Sequence, residues 1–248
     1  MKWIRNYVLK QLRKISENLI FFGYQIRKLD RKHSENYYQH DLSSQIPNIS
    51  EIQEKFLGRK NSGFFIEVGA YDGRQFGSVW GLVKRNWDGI LIEPLPENIV
   101  KIRANYKKYN NIKIYEGAVS DRTKKLKMFH NEQLSGIRNS KYRSRMESSI
   151  VNALTLDAIC KHYRVKQGFD LLTVDVEGHE MEVLNGFNLN KWKPKMIIIE
   201  LSDSKIKNRY AYNHKQVLFS IVKKYKYVVV YKDWINTVFV REDIYLSK

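Results

Sequence analysis

The chain has 248 residues, the length of one large α/β domain or two small ones. It carries 44 Lys and Arg against 26 Asp and Glu, a formal net charge of +18, and 43% of its residues are hydrophobic. That much apolar material buries a sizeable core and excludes disorder of the whole chain. The single cysteine, Cys160, excludes an internal disulfide and a cysteine-built zinc cluster.

No run approaches the roughly 18 apolar residues of a membrane-spanning helix. A signal peptide is not expected either, because the short apolar run Leu19–Tyr24 leads into Arg27, Lys28 and Asp30 instead of a small-residue cleavage site. Within residues 1–32, Trp3, Tyr7, Leu12, Ile15, Leu19 and Phe22 recur at helical steps among nine basic residues. The pattern predicts an amphipathic helix, and three uses stay open: an anionic membrane surface, the protein's own core, or a dimer contact. Residues 33–62 read as a polar connector with one short helix at Ile49–Leu57. The expected organisation is a basic helix with connector over 1–50 and a main domain over 51–248.

From Phe64 onward strands and helices alternate. Strands are predicted at Phe64–Val68, Gly89–Ile92, Ile112–Tyr115, Asp170–Val174 and Met196–Ile199. Helices are predicted at Arg74–Lys84, Pro96–Tyr109 (proline at its start), Leu156–Tyr163, Glu180–Leu184 and His214–Lys223. Tyr227–Tyr231 and Thr237–Arg241 read as two closing strands joined by a few residues, hence a hairpin. Alternation of this kind predicts a mostly parallel sheet with helices on both faces and an antiparallel end. Residues 122–150 interrupt the pattern with a basic insertion, Leu126–Phe129 being its one strand-like stretch.

Four segments carry chemistry, each at the carboxyl end of a predicted strand, where open parallel sheets bind ligands. Phe65-Ile66-Glu67-Val68-Gly69-Ala70-Tyr71-Asp72-Gly73 spaces its glycines G-x-x-x-G, not the G-x-G-x-x-G of a pyrophosphate turn. Glu67 and Asp72 in that loop repel phosphate and attract a cation, which points to a sulfonium cofactor such as S-adenosylmethionine. Glu93, at the end of Ile90-Leu91-Ile92-Glu93-Pro94, is placed to accept hydrogen bonds from ribose hydroxyls. Tyr115 to Asp121 offers amides and a polar side chain to an adenine ring. Asp175, Glu177, His179 and Glu180 crowd the turn after the fourth strand, where a methyl donor and an acceptor hydroxyl would meet. His179 is the natural base near neutral pH; Asp175 or Glu177 could orient it, bind the hydroxyl or hold a divalent metal with hard oxygen ligands.

The runs FIEVGAYDG, LIEP, EGAVSD, TLDAI, LLTVDVEGHEMEVLNGF and IIIEL, over about residues 60–205, resemble the FkbM family of S-adenosylmethionine-dependent methyltransferases. The resemblance implies a Rossmann-like class I methyltransferase fold with a seven-stranded sheet, and O-methylation of a hydroxyl, often on a sugar or a polyketide-type product. Carried over by position, Glu67, Gly69, Tyr71, Asp72 and Gly73 match the cofactor loop, Glu93 the ribose acid, and Asp121 the adenine loop. Asp175, Glu177 and His179 match the block near the acceptor. The first 50 residues and the basic stretch at 122–145 have no counterpart in it.

The expected partner is a saccharide or glycolipid acceptor. The expected location is the cytoplasm, peripheral to its membrane face (or a host cytoplasm for a viral chain). Nucleic acid is disfavoured. Cys160 sits in a predicted helix and not in a loop as a cytosine nucleophile, and the Asp175-Val176-Glu177-Gly178 turn is not the Asn/Asp-Pro-Pro-Tyr of amino methylation. Two alternatives stay open: ribose 2'-O-methylation of RNA, and a binding protein that has kept the fold.

Overall fold

The computed structural model describes residues 44–130, 147–201, 216–218, 220–233 and 235–248. The helix expected in residues 1–32 and the centre of the basic insertion, 131–146, lie outside them. In chain order the elements are α1 (Ile49–Leu57), β1 (Phe64–Val68), α2 (Trp80–Val83), β2 (Asp88–Glu93), α3 (Pro96–Asn105), β3 (Ile112–Glu116), β4 (Ala118–Val119), β5 (Lys124–Phe129) and β6 (Ser148–Leu154). They continue with α4 (Leu156–His162), β7 (Leu171–Val174), α5 (Glu180–Asn185), α6 (Leu189–Trp192), β8 (Met196–Glu200), a π-helical turn (Ser220–Lys224), β9 (Tyr227–Lys232), β10 (Asn236–Arg241) and α7 (Glu242–Leu246).

Seven strands form one sheet in the order β3-β2-β1-β7-β8-β10-β9. β1, β2, β3, β7 and β8 pair in parallel, and β10 runs antiparallel to both of its neighbours. This is the Rossmann-like class I methyltransferase fold. The sheet order reverses between β2 and β7 at β1, the switch point at which such sheets open a crevice. The antiparallel strand is not the edge: β10 inserts between β8 and β9. Val238, Phe239 and Val240 are all fully buried, whereas most of β9 is only half-buried, so the strand apolar on both faces takes the inner place.

Alternate residues of each strand face opposite layers. Ile66, Val68, Ile90, Leu172, Val174 and Ile197 pack with Ile159 of α4, Val183 of α5 and Trp192 of α6. Phe65, Leu91, Leu171, Ile198 and Val238 pack with Ile49 and Phe56 of α1, Leu82 of α2 and Ile102 of α3. Each such buried side chain contributes about 1.5–3 kcal/mol of transfer free energy, so the apolar strands alone commit the chain to a covered sheet. The two ends of the basic insertion, β5 and the start of β6, join β4 in a second sheet, order β4-β6-β5, with β5 and β6 antiparallel.

The helix expected over Arg74–Lys84 shrinks to Trp80–Val83. Asp72 Oδ1 accepts the amides of Arg74 and Gln75, both at 2.8 Å, a local turn that competes with helix. Phe76 then takes a left-handed conformation with φ 63°, which no helix continues. Among the described residues no helix is long and apolar enough to cross a membrane.

Candidate active site

The register of the sheet assembles the site. Extended one residue past the strand ends where needed, it sets Glu93, Gly69, Asp175, Glu200 and Asn236 side by side across β2, β1, β7, β8 and β10. All five line one cavity of about 180 Å³ at the carboxyl edge of the sheet. Gly69 leaves a gap in the middle of this row. It cannot be filled: φ is 86°, and a Cβ there would lie 1.7 Å from the Asp175 carbonyl oxygen. Two residues back on the same face of β1, beneath the gap, stands Glu67.

Among the described residues the cavity wall holds five carboxylic acids, Glu67, Glu93, Asp175, Glu177 and Glu200, and no lysine, arginine or histidine. In a chain of net charge +18 this separation of sign is the main electrostatic feature of the site. Burial drives the Glu67 carboxyl up to about 8, against the Ser78 amide and Thr173, which favour its charged form. Its Oε1 accepts the Ser78 amide at 3.4 Å, while its Oε2 is buried with no hydrogen-bond partner among the described residues. Glu93 is raised to about 7, again chiefly by burial. Its Oε2 accepts the Tyr71 amide at 3.0 Å; its Oε1 accepts the Leu95 amide at 3.0 Å and the Asn98 side chain at 3.3 Å.

Asp175 and Glu200 close adjacent strands, and burial raises both carboxyl groups above the usual carboxylate range. One oxygen each of Asp175, Glu177 and Glu200 lies within 4.8 Å of the others. Three carboxylate oxygens gathered in this way are a hard-oxygen set that could hold a divalent metal, and Glu200 joins the Asp175 and Glu177 expected from sequence.

Of the cofactor residues expected from sequence, Glu67, Gly69, Tyr71 and Glu93 line the cavity, and Asp72, Gly73 and Asp121 stand behind it. Asp72 holds the turn already described. Gly73 packs under Tyr106, whose hydroxyl donates to its carbonyl. Asp121 pairs with Lys124 at 2.6 Å, which holds its carboxyl down at about 2. Of the three expected catalytic residues, Asp175 and Glu177 line the cavity and His179 does not.

His179 is 5% exposed, with Nε2 2.9 Å from Ser120 Oγ and Nδ1 3.5 Å from Glu182. Ionised Asp121 accepts the Ser120 hydroxyl proton at 3.1 Å, so Ser120 Oγ must itself accept from His179 Nε2–H. The imidazole thus bonds Ser120 and lies outside the residues that line the cavity. The cavity residues that sequence reading missed are Glu200, Asn236, Gln45, Asn98 and Phe76. Glu200 had a usable signal, an acid closing an apolar strand, as Glu93 and Asp175 do. The other four come from segments with no such mark.

A family model described as the methyltransferase FkbM domain matches residues 67–229. The chain belongs to this family. The matched stretch of the FkbM domain runs from Glu67 to β9 and contains every cavity acid. Among solved structures, monomeric WbdD is similar over 80% of this chain and 42% of its own length, at 13% identity and a TM-score of 0.47. The FkbM chain thus spans less than half of WbdD. The precorrin-6y C5,15-methyltransferase of Geobacter metallireducens GS-15 is similar over 84% of this chain and 94% of its own, at 11% identity and a TM-score of 0.42. A fibrillarin/Nop5p complex is similar over 74% of both chains, at 12% identity and a TM-score of 0.42. No curated protein matches the sequence.

Proposed function

We propose that the chain is an S-adenosylmethionine-dependent O-methyltransferase whose acceptor is a sugar hydroxyl in a glycan or glycolipid. One observation carries the cofactor assignment: among the described residues, five acids and no lysine, arginine or histidine line the cavity of a strongly basic methyltransferase-family chain. Such a wall rejects a phosphate-bearing coenzyme and favours a cationic one. Glu67 Oε2, without a hydrogen-bond partner among the described residues, fits the same reading, since a buried carboxyl oxygen without a donor is costly until a ligand supplies one.

S-adenosylmethionine, when bound, supplies an activated methyl group on a positively charged sulfur. Glu93 would hold its ribose. A carboxylate offers about four lone-pair sites, and the Tyr71, Leu95 and Asn98 bonds take three. One ribose hydroxyl is therefore accommodated on Glu93, not the pair that an unencumbered acid would accept. The Gly69 gap, with Glu67 beneath, suits the charged centre, and the apolar stretch Gly117–Val119 with Met128 suits the adenine ring.

The acceptor end lies at Asp175, Glu200 and Asn236. Asn236 Nδ2 donates to Gln45 Oε1 at 3.2 Å, which leaves amide donors and an acceptor for ligand hydroxyls. Phe76, 47% exposed and held in a strained backbone conformation, adds an aromatic face at the same mouth. Aromatic face, amides and carboxylate together match a polyhydroxylated ring. Holding hydroxyl and methyl group in line can supply roughly 7–11 kcal/mol of the barrier, and a base adds about 10²–10⁴-fold. In the same proposal, residues 1–32 hold the protein to an anionic membrane face in the cytoplasm.

Two measurements test the reading. Calorimetric titration of the full chain with S-adenosylmethionine should show binding, and its absence removes the cofactor assignment. Mass spectrometry of glycans, glycolipids and RNA from cells with and without the protein should show one added methylene on a saccharide. A gain confined to RNA ribose moves the acceptor to nucleic acid.

A further inference from the structure

Two residues that line the cavity, Gln45 and Asn236, come from outside the stretch that the family model matches. Among the described residues every other lining residue lies within 67–229. The matched stretch thus supplies the methyl-donor end and the acids, while the amides of the acceptor end arrive from both flanks. Each amide is held by its own local structure. Asn236 opens β10 directly opposite Glu200, so the two side chains share one face of the sheet. It is buried, and Asp233 Oδ1 accepts its backbone amide at 2.6 Å and that of Ile235 at 2.8 Å. The Tyr231 hydroxyl donates to Asp233 Oδ2 at 2.7 Å and steadies that turn. Gln45 stands between Ser44, which bridges Phe76, and the buried Ile46. Gln45 itself is exposed, and its Oε1 accepts from Asn236 Nδ2 across 191 positions of sequence.

We propose that Gln45 and Asn236 determine acceptor specificity: together they form an amide clamp that reads a hydroxyl beside the one to be methylated, on an uncharged sugar ring. This rests on the methyl-transfer reading above and narrows its acceptor to a neutral sugar. A carboxamide has two N–H donors and an oxygen with two lone pairs. The bond between Asn236 and Gln45 uses one N–H and one lone pair. What is left is a mixed set of donors and acceptors, and an alcohol O–H, itself donor and acceptor, satisfies both kinds. A carboxylate on the same ring only accepts. Carboxylates and phosphates are read by arginine or lysine, and among the described residues neither lines the cavity. An anionic ring would instead meet Glu200, opposite Asn236, with Asp175 and Glu177 close by.

The test is the identity of the sugar that gains the methyl group. Glycans and glycolipids from cells containing the protein are hydrolysed, and the methylated sugar is identified by mass spectrometry. It should be a neutral sugar with a second hydroxyl next to the methoxy carbon. A methylated uronic acid, or a methylated ring that bears phosphate, overturns the clamp and leaves O-methylation of a saccharide standing. No methylated saccharide at all defeats that reading, and the clamp with it. A simple glycoside of the neutral sugar then serves as acceptor for kinetics with the full chain. Gln45→Ala should raise its KM about five- to tenfold, the worth of one hydrogen bond, with kcat and S-adenosylmethionine affinity nearly unchanged. Gln45 is exposed, so this variant tests recognition and not folding. Removing the neighbouring hydroxyl from the glycoside should raise KM about tenfold for wild type and only about twofold for Gln45→Ala, which has already lost its share of the clamp. Equal losses in both proteins, or a loss confined to kcat, overturn the proposal.

Discussion

Asp170 and Asp175 bracket β7, five residues apart, and meet opposite electrostatic fates. Asp170, at the amino end, binds Lys60 at 2.8 Å, Lys195 at 2.7 Å and the Phe64 amide at 3.0 Å, which hold its carboxyl below the usual range. Asp175, at the carboxyl end, has no lysine or arginine partner among the described residues and is raised. One end of the strand is tied down by ion pairs and the other closes the cavity wall. Asp170→Asn should therefore cost about 2–3 kcal/mol in urea unfolding and leave S-adenosylmethionine affinity nearly unchanged. Asp175→Asn should do the reverse: stability held, cofactor bound, and methyl transfer down about 10²–10⁴-fold. A fully active Asp175→Asn would remove it from the catalytic residues.

Gly69→Ala tests the gap in the row. The added carbon meets the Asp175 carbonyl and must sit at positive φ. Overpacking and backbone strain together should cost about 2–4 kcal/mol, read as a lower urea midpoint, and cofactor titration should show no binding in the fraction that remains folded.

Glu93→Ala should weaken S-adenosylmethionine binding by about 10–100-fold, the worth of one hydrogen bond to a charged group. The loop it anchors through the Tyr71 and Leu95 amides should loosen at the same time, visible as faster amide exchange at those positions. Unchanged affinity would take Glu93 out of the ribose subsite.

The buried acids also set a pH dependence. Glu67 and Glu93 have folded values of about 8 and about 7 against an ordinary 4.5. Between those limits the folded state binds more protons than the unfolded chain. Stability of the free protein is then greatest below about pH 4.5 as far as these two groups are concerned, and is lost as pH rises through 7 to 8. A cationic ligand relieves that loss. The rise in melting temperature on adding S-adenosylmethionine should be larger near pH 8 than near pH 6, and a rise independent of pH would contradict the placement of the charged sulfur over Glu67.

His179→Gln separates the structural histidine from a catalytic one. Breaking the Ser120 bond should cost about 1 kcal/mol of stability, with cofactor affinity unchanged and methyl transfer lowered far less than in Asp175→Asn. A loss as deep as that of Asp175→Asn would return the base role to the imidazole.

How much was legible in the sequence follows from which interactions are local. Apolar runs such as Phe64–Val68 and Met196–Glu200 state their own burial, because each side chain gains on leaving water whatever its neighbours are. The acids closing them, Glu93 and Asp175, could be found by the same scan, and so could Glu200. The strand-to-loop segment around Gly69 was visible as a motif. What the residue string did not contain was pairing. His179 looks like a base beside Asp175 in sequence, yet one turn of chain carries its ring to Ser120, 59 residues away. Asp72 and Gly73 fall within the cofactor motif but spend their polar groups holding the loop. Gln45 and Asn236, 191 residues apart, share a hydrogen bond at the acceptor end that no spacing rule anticipates. Composition and periodicity determined the alternating strands, the covered sheet and the sign of the pocket, since burial and charge are properties of single residues and short runs. Which carboxyl stands beside which was decided only when β7, β8 and β10 came into register, since those energies depend on distances that the folded sheet alone defines.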